Sequence, residues 1–262
     1  MAKTDAPRIF ARMKKPRISA KDFASLYKQY NANLAFVDCG RKCAPLNNGQ
    51  PVCCTTENAI PVVDKAEFEL LKSRTDLWYK YKPNDAVSRK IVNELNSNAC
   101  AIECKGAAFC ERDNRTIACR SFPFYPYLDK AGNFIGLTYY WDFEDRCWII
   151  SNMQVVERKF VDEMIAAFER IFKLDPDEYD TMKSHSATMR RVFTRQGKII
   201  PIIHRDGGYF KIKPGSMGML TPCTPDDFKK FGPYKSEAAY IKAVKEAGGT
   251  LGPAPKRGYL AP

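Results

Sequence analysis

A chain of 262 residues, 45% hydrophobic and 12% aromatic, has the apolar content to close a packed core without cross-links. Its 42 Lys and Arg against 30 Asp and Glu make a formal charge of +12, which points to a polyanionic or acidic partner. Metal-bound thiolates would soften that surplus, since two zinc ions with four thiolates each would leave roughly +8. No run of 18 apolar residues is present, which excludes a membrane-spanning helix.

In chain order, residues 1–20 read as a basic flexible tail. The first 21 residues hold seven Lys or Arg and one acid, Asp5, without the apolar stretch of a secretory signal. The expected setting is therefore a reducing cytoplasm, where ten cysteines argue for metal rather than disulfides. Phe23, Leu26 and Tyr27 predict a short helix over 21–31. Residues 34–63 are irregular. Asp64 reads as an N-cap with Glu67 three residues on, opening a helix to about residue 73. Val87, Ile91, Val92 and Leu95 share one face of a helix predicted over 86–96, and 98–120 is again irregular. FPFYPYLD, KAGN and FIGLTYYW predict a β-hairpin over 121–141. The strongest helix spans roughly 152–173, with Val156, Phe160, Met164, Phe168 and Ile171 as its stripe. Another spans 176–195, with Pro176 in its first turn. A second hairpin turns at Asp206-Gly207-Gly208 within 198–213, and a small helix near 235–247 precedes a Gly/Pro-rich mobile tail. The expected organisation is the tail, a cysteine-cluster metal-binding domain with its helical buttress over 21–197, and an appended hairpin, helix and tail over 198–262.

The cysteines carry the chemistry. Cys39, Cys43, Cys53 and Cys54 lie in the first irregular stretch, and Cys100, Cys104, Cys110 and Cys119 in the second. Cys147 follows the first hairpin. Close spacing on loops brings thiolates together at small entropic cost and leaves backbone N–H groups free to bond sulfur. Arg41, Lys42, Lys105, Arg112 and Arg120 lie near enough in sequence to favour thiolate charge. Buried core cysteines scatter along apolar strands and helices, whereas these cluster in polar segments, so all nine are candidate ligands of iron–sulfur or zinc. Cys53 and Cys54, being adjacent, suit two metals better than one. Cys223 stands far from the cluster and reads as a bystander.

CGRKC, the doublet in PVCCTT, AIPVVDKAEFELL, and FCERDNRTIACRSFPFYP together resemble the YkgJ-type cysteine-cluster family, a zinc- or iron-chelating domain. Cys110 and Cys119 to Pro123 fit the C-x8-CR-x-FP block, Glu67 falls at the family's acidic position, and Cys147 fits the later cysteine. The resemblance covers residues 36–150. Here the first block is stretched, with nine residues before the doublet rather than two, Cys100 and Cys104 compete for one position, and Asp113-Asn114-Arg115-Thr116 stands where the family has aromatic-Arg-Pro. The resemblance implies a metal centre. Because the family includes the flagellin lysine N-methylases, it also implies methyl transfer from S-adenosylmethionine as one candidate chemistry.

Little else competes. His185 and His204 read as surface residues, and no HExxH, P-loop, GxGxxG or Ser-His-Asp order occurs. The aromatics Phe122, Phe124, Tyr125, Tyr127, Phe134, Tyr139, Tyr140 and Trp141 could stack bases or an adenine, but alternation favours a sheet lying as a lid on the metal core. The expected fold is α+β, with an irregular cysteine-rich metal-binding core, a covering β-hairpin and buttressing helices. Three functions are open: an iron–sulfur enzyme modifying a protein or other macromolecule by methyl transfer or redox chemistry, a zinc-stabilised module without chemistry that binds nucleic acid or an acidic partner, and a metal carrier or redox sensor.

Overall fold

The computed structural model describes residues 17–228, 231, 234 and 236–246. Most of the two expected tails lies outside them, as do the basic residues Lys229 and Lys230. The first helix, α1 (Ala20–Gln29), starts at a capping box: Ser19 Oγ accepts from the Asp22 N–H at 3.3 Å, and the Asp22 carboxylate accepts from the Ser19 N–H at 3.0 Å. It buries Phe23, Leu26 and Tyr27. A one-turn helix, α2 (Gly40–Cys43), interrupts the first cysteine loop.

Strand β1 (Val62–Asp64) runs into α3 (Lys65–Arg74), where the Asp64 carboxylate accepts from the Ala66 N–H at 2.6 Å. Glu67 does not complete a capping box. It turns inward and is 3% exposed. Strands β2 (Trp78–Lys80) and β3 (Ala99–Cys104) flank α4 (Ala86–Asn93), and the three strands pair antiparallel in the order β1-β3-β2. The 98–120 stretch is thus not wholly irregular. Helix α4 forms as predicted, but its apolar stripe is not its buried face. Val87 is 70% and Ile91 46% exposed while Ser88 is buried, its side chain held in the cap with Asp85. Helix α5 (Ile117–Ser121) begins at Thr116, whose Oγ1 accepts from the Cys119 N–H at 2.9 Å.

The first hairpin is β4 (Phe124–Leu128) and β5 (Phe134–Tyr139). Helix α6 (Arg158–Leu174) starts six residues later than the stripe suggested, because Met153–Val155 forms a 3-10 turn; every stripe residue is nevertheless buried. Helix α7 (Pro176–Arg195) has the predicted bounds. It lies against β4, where Ser186 Oγ accepts from the Leu128 N–H at 3.0 Å.

The second hairpin, β6 (Ile200–His204) and β7 (Tyr209–Ile212), does not stand apart. With β8 (Leu220–Cys223) it continues the first into a five-stranded antiparallel sheet, β4-β5-β6-β7-β8, so the sheet crosses the boundary expected at residue 197. Gly136 allows the β5–β6 pairing: a Cβ there would sit 2.3 Å from the Ile203 carbonyl oxygen. The small helix is α8 (Glu237–Glu246), and its Tyr240 hydroxyl donates to the Lys42 carbonyl at 2.8 Å. One apolar core joins residues from α1, α6, α7 and both sheets. The fold is mixed, with helices and two antiparallel sheets, as an α+β protein requires.

Candidate metal centre

Eight of the nine candidate cysteines line one cavity of about 910 Å³. Cys39 and Cys43 bracket α2, and Cys53 and Cys54 share a single 3-10 turn. Cys104 ends β3, Cys110 follows another 3-10 turn, and Cys119 sits in α5. Cys147 arrives from the segment after β5. These short turns leave backbone donors near sulfur, and the Gly106 N–H lies 3.4 Å from Cys104 Sγ.

The thiols fall into two neighbourhoods. Burial, then Cys147 and Cys43, push the Cys39 thiol up. The Cys147 thiol is pushed up to about 12 by burial, with Cys43 beside it. Cys53 is raised by its hydrogen bond to Cys54 and by burial, with Cys39 and Cys147 as its next neighbours. The second neighbourhood surrounds Arg115. Its Nε donates to Cys110 Sγ at 3.1 Å, and Cys119 and Cys54 also stand within its field. Burial lifts Cys119 to about 12, with Cys54 and Cys104 nearby, and lifts Cys104, with Cys54 and Cys110 nearby. Cys54 alone is lowered, by the hydrogen bond from Cys53 and then by Arg115. Cys39, Cys43, Cys53 and Cys147 therefore form one set, and Cys54, Cys104, Cys110 and Cys119 the other. Cys43 borders both, since Cys54 also lies near it. The Sγ atoms of Cys53 and Cys54 are 3.9 Å apart where the sets meet.

Cys100 is placed elsewhere, on β3 opposite Val63, where the nearest charges are Lys80 and Lys65 and it does not line the cavity. Cys223 lies on β8 opposite Tyr209, with Asp227 and Lys211 as neighbours. The basic residues expected around the thiols mostly serve other ends. Arg41 pairs with Asp38, Lys105 with Asp76, and Arg112 donates to the Asn31 carbonyl. Arg120 donates to backbone carbonyls of Tyr30, Asp113 and Arg115 while lying over the Tyr27 ring. Among the described residues, Arg115 is the one arginine that bonds a thiol.

Carboxyls line another part of the same cavity. Glu67 Oε1 accepts from the Tyr27 hydroxyl and the Ile117 N–H, both at 2.7 Å, and burial pushes its carboxyl up to about 7. Glu178, in the first turn of α7, is also raised to about 7, by burial and then by Asp175, Glu67 and Asp64. It keeps some accessible surface because it faces the cavity, yet protein surrounds the carboxyl closely, and no side-chain hydrogen bond is found for it among the described residues. Phe122, Tyr140 and Phe143 add aromatic wall. Sequence reasoning missed Glu178, because an acid in the first turn of a helix is the ordinary complement to the helix dipole.

The histidines differ from expectation. His185 is packed among Tyr125, Tyr140 and Trp141 with centroids at 4.6, 5.3 and 5.1 Å, and its buried Nε2 has no hydrogen-bond partner among the described residues. His204 is half-buried against Phe210, with Nδ1 accepting from the Asp206 N–H at 3.2 Å. Neither lines the cavity.

The donor set suits a thiophilic metal, offering soft thiols supported by Arg115 and a backbone N–H. The sulfurs are not closed on a point, however: among the described residues, no three His, Cys, Asp or Glu groups are placed to hold a single ion. None of the ten cysteines is disulfide-bonded, and no described helix is long and apolar enough to cross a membrane. No family model matches the chain, and no curated protein or solved structure matches it.

Proposed function

We propose that this protein is a cysteine-cluster metalloprotein with two centres, one held by Cys39, Cys43, Cys53 and Cys147 and the other by Cys54, Cys104, Cys110 and Cys119. The observation that carries this reading is the convergence of eight cysteines, from segments more than a hundred residues apart, on one cavity. Free thiols in a chain with an apolar core suit a reducing cytoplasm. Desolvation holds most of these thiols protonated, a cost that a bound metal removes by replacing the proton.

The open placement favours iron–sulfur clusters, whose ligands stand further apart than those of a single zinc ion. Such a cluster would supply electron transfer or an accessible iron. The chain's residues do the rest. Arg115 and the Gly106 N–H offset thiolate charge, while Phe122, Tyr140 and Phe143 give the chamber an apolar wall. Glu67 and Glu178, with carboxyls near pH 7, can hold or release a proton there and attract a cationic group. This supports an enzyme acting on a protein or other macromolecule by redox chemistry or methyl transfer. S-adenosylmethionine as donor rests on the family resemblance. One distance favours a zinc module instead: the 3.9 Å between Cys53 and Cys54 is close to the edge, about 3.8 Å, of a tetrahedron with 2.3 Å zinc–sulfur bonds.

Anaerobic purification followed by iron, zinc and acid-labile sulfide analysis tests the proposal. Brown protein with iron and sulfide supports the first reading, and colourless zinc-loaded protein the second. Protein that takes up neither metal rejects both.

A further inference from the structure

A second, smaller cavity of about 230 Å³ lies between the C-terminal half of α7, strands β6 and β7, and the loop that follows β7. Its floor is apolar, built from Phe193, Ile200 and Ile212, while four cations line it: Lys130, Arg190, Lys198 and Lys213. No acidic residue lines it. Arg190 is fixed in place, its Nη1 donating to the Leu128 carbonyl at 2.6 Å and to the Tyr127 hydroxyl at 3.2 Å. Its remaining guanidinium N–H groups have no partner among the described residues. Lys198 pairs with Glu144 at 2.8 Å, whereas Lys130 and Lys213 are exposed and make no ion pair among the described residues, Lys213 standing only within the field of Asp227. The cavity thus carries a surplus of positive charge beside an apolar floor, in a chain whose formal charge is already +12.

The loop over this cavity is built unusually. Gly215, Met217 and Gly218 all have positive φ, at 74°, 59° and 97°. For Met217, which carries a side chain, this is a strained conformation. Its side chain, 80% exposed, makes no packing that would repay the strain. The Ser216 and Met219 N–H groups bond within the loop, but those of Gly215, Met217 and Gly218 have no partner among the described residues. Left-handed turns of this kind present backbone N–H groups to anions.

We propose that this cavity binds a phosphate group. A tetrahedral dianion can take charge from Lys130, Arg190 and Lys213 together with loop N–H groups, a donor arrangement that a planar carboxylate fills less completely. The volume is below the 300 Å³ at which drug-sized pockets begin, so it admits the phosphate and a small attached group that can rest on Phe193. That phosphate can belong to a small phosphoester or to a nucleic-acid backbone. The site is independent of the metal reading, since no candidate cysteine lines it.

The test uses the full chain as purified, with calorimetric titration of inorganic phosphate at constant ionic strength. A double variant, Lys130→Ala with Lys213→Ala, removes two exposed side chains that make no ion pair among the described residues, and Asp227 keeps its ion pair with Lys211, so folding is kept. Phosphate binding to the wild type that weakens roughly tenfold or more in the double variant supports the proposal. No heat from wild type up to about 10 mM phosphate, or equal affinity in both proteins, overturns it. A parallel titration with short mixed-sequence RNA separates the sources. RNA binding that phosphate displaces and the double variant weakens assigns the site to a nucleic-acid backbone. Phosphate binding with no such RNA binding assigns it to a small phosphoester.

Discussion

Glu67→Gln should change how stability responds to pH. Glu67 is 3% exposed and its carboxyl is raised from 4.5 to about 7, chiefly by burial. A raised carboxyl pKa means the folded state binds the proton more tightly than the unfolded chain. Its contribution is fully present below about pH 4.5 and is lost as pH rises through about 7. At 1.36 kcal/mol per pH unit the full loss is about 3 kcal/mol, of which about 2.5 kcal/mol falls between roughly pH 5 and pH 8. Glutamine keeps the oxygen that accepts from the Tyr27 hydroxyl and the Ile117 N–H but cannot ionise. Any cost of its buried amide is independent of pH and cancels in the comparison. Removing the Glu67 charge also eases ionisation of Glu178, whose carboxyl the Glu67 charge helps to raise, so part of the second carboxyl's loss should vanish as well. The assay is urea denaturation of both proteins at several pH values across that range. The variant should gain on the wild type by about 2–3 kcal/mol as pH rises. Parallel stability curves would show that Glu67 ionises freely, and the picture of a desolvated acid in this cavity would fall.

Four further substitutions probe the fold and the centre. Cys147→Ser and Cys119→Ser, taken from different sets, should each lower bound metal by one centre and leave the other loaded; loss of all metal from either variant would mean a single shared centre. Cys100→Ser should leave metal content unchanged, because Cys100 does not line the cavity, and elemental analysis against wild type checks this. Gly136→Ala places a Cβ 2.3 Å from the Ile203 oxygen, so β5 and β6 must part, and thermal denaturation should show a loss of about 2 kcal/mol or more.

Where a residue's role was fixed by local chemistry, it could be read from the sequence. Pro176 marks the start of α7, and the buried stripe from Val156 to Ile171 is a matter of helical period. Helix α4 shows the limit of the same reasoning. Val87 and Ile91 have the right spacing for a core face, but a stripe says only that a face is apolar, not that the chain brings anything to cover it. The joining of the two hairpins was hidden for a related reason. Strand pairing between β5 and β6 spans two long helices, and nothing in either strand names its partner. The inward turn of Glu67 likewise depends on Tyr27 and Ile117, which lie forty and fifty residues away.

The adjacent pair Cys53-Cys54 brings the two kinds of information together. From the sequence alone, adjacency argues that one ion cannot take both sulfurs comfortably. The structure places Cys39 and Cys147 beside Cys53, and Arg115 beside Cys54, so each of the two sulfurs has its own company. The hydrogen bond to Cys54, then burial, raises Cys53, while that same hydrogen bond and the Arg115 guanidinium lower Cys54. Cys54 therefore gives up its proton first, and the centre containing Arg115 should load before the other when metal is limiting. Substoichiometric reconstitution followed by thiol labelling reads this directly. Protection of Cys104 and Cys119 ahead of Cys39 and Cys147 is the expected order, and the reverse order would show that Arg115 does not set the sequence of loading.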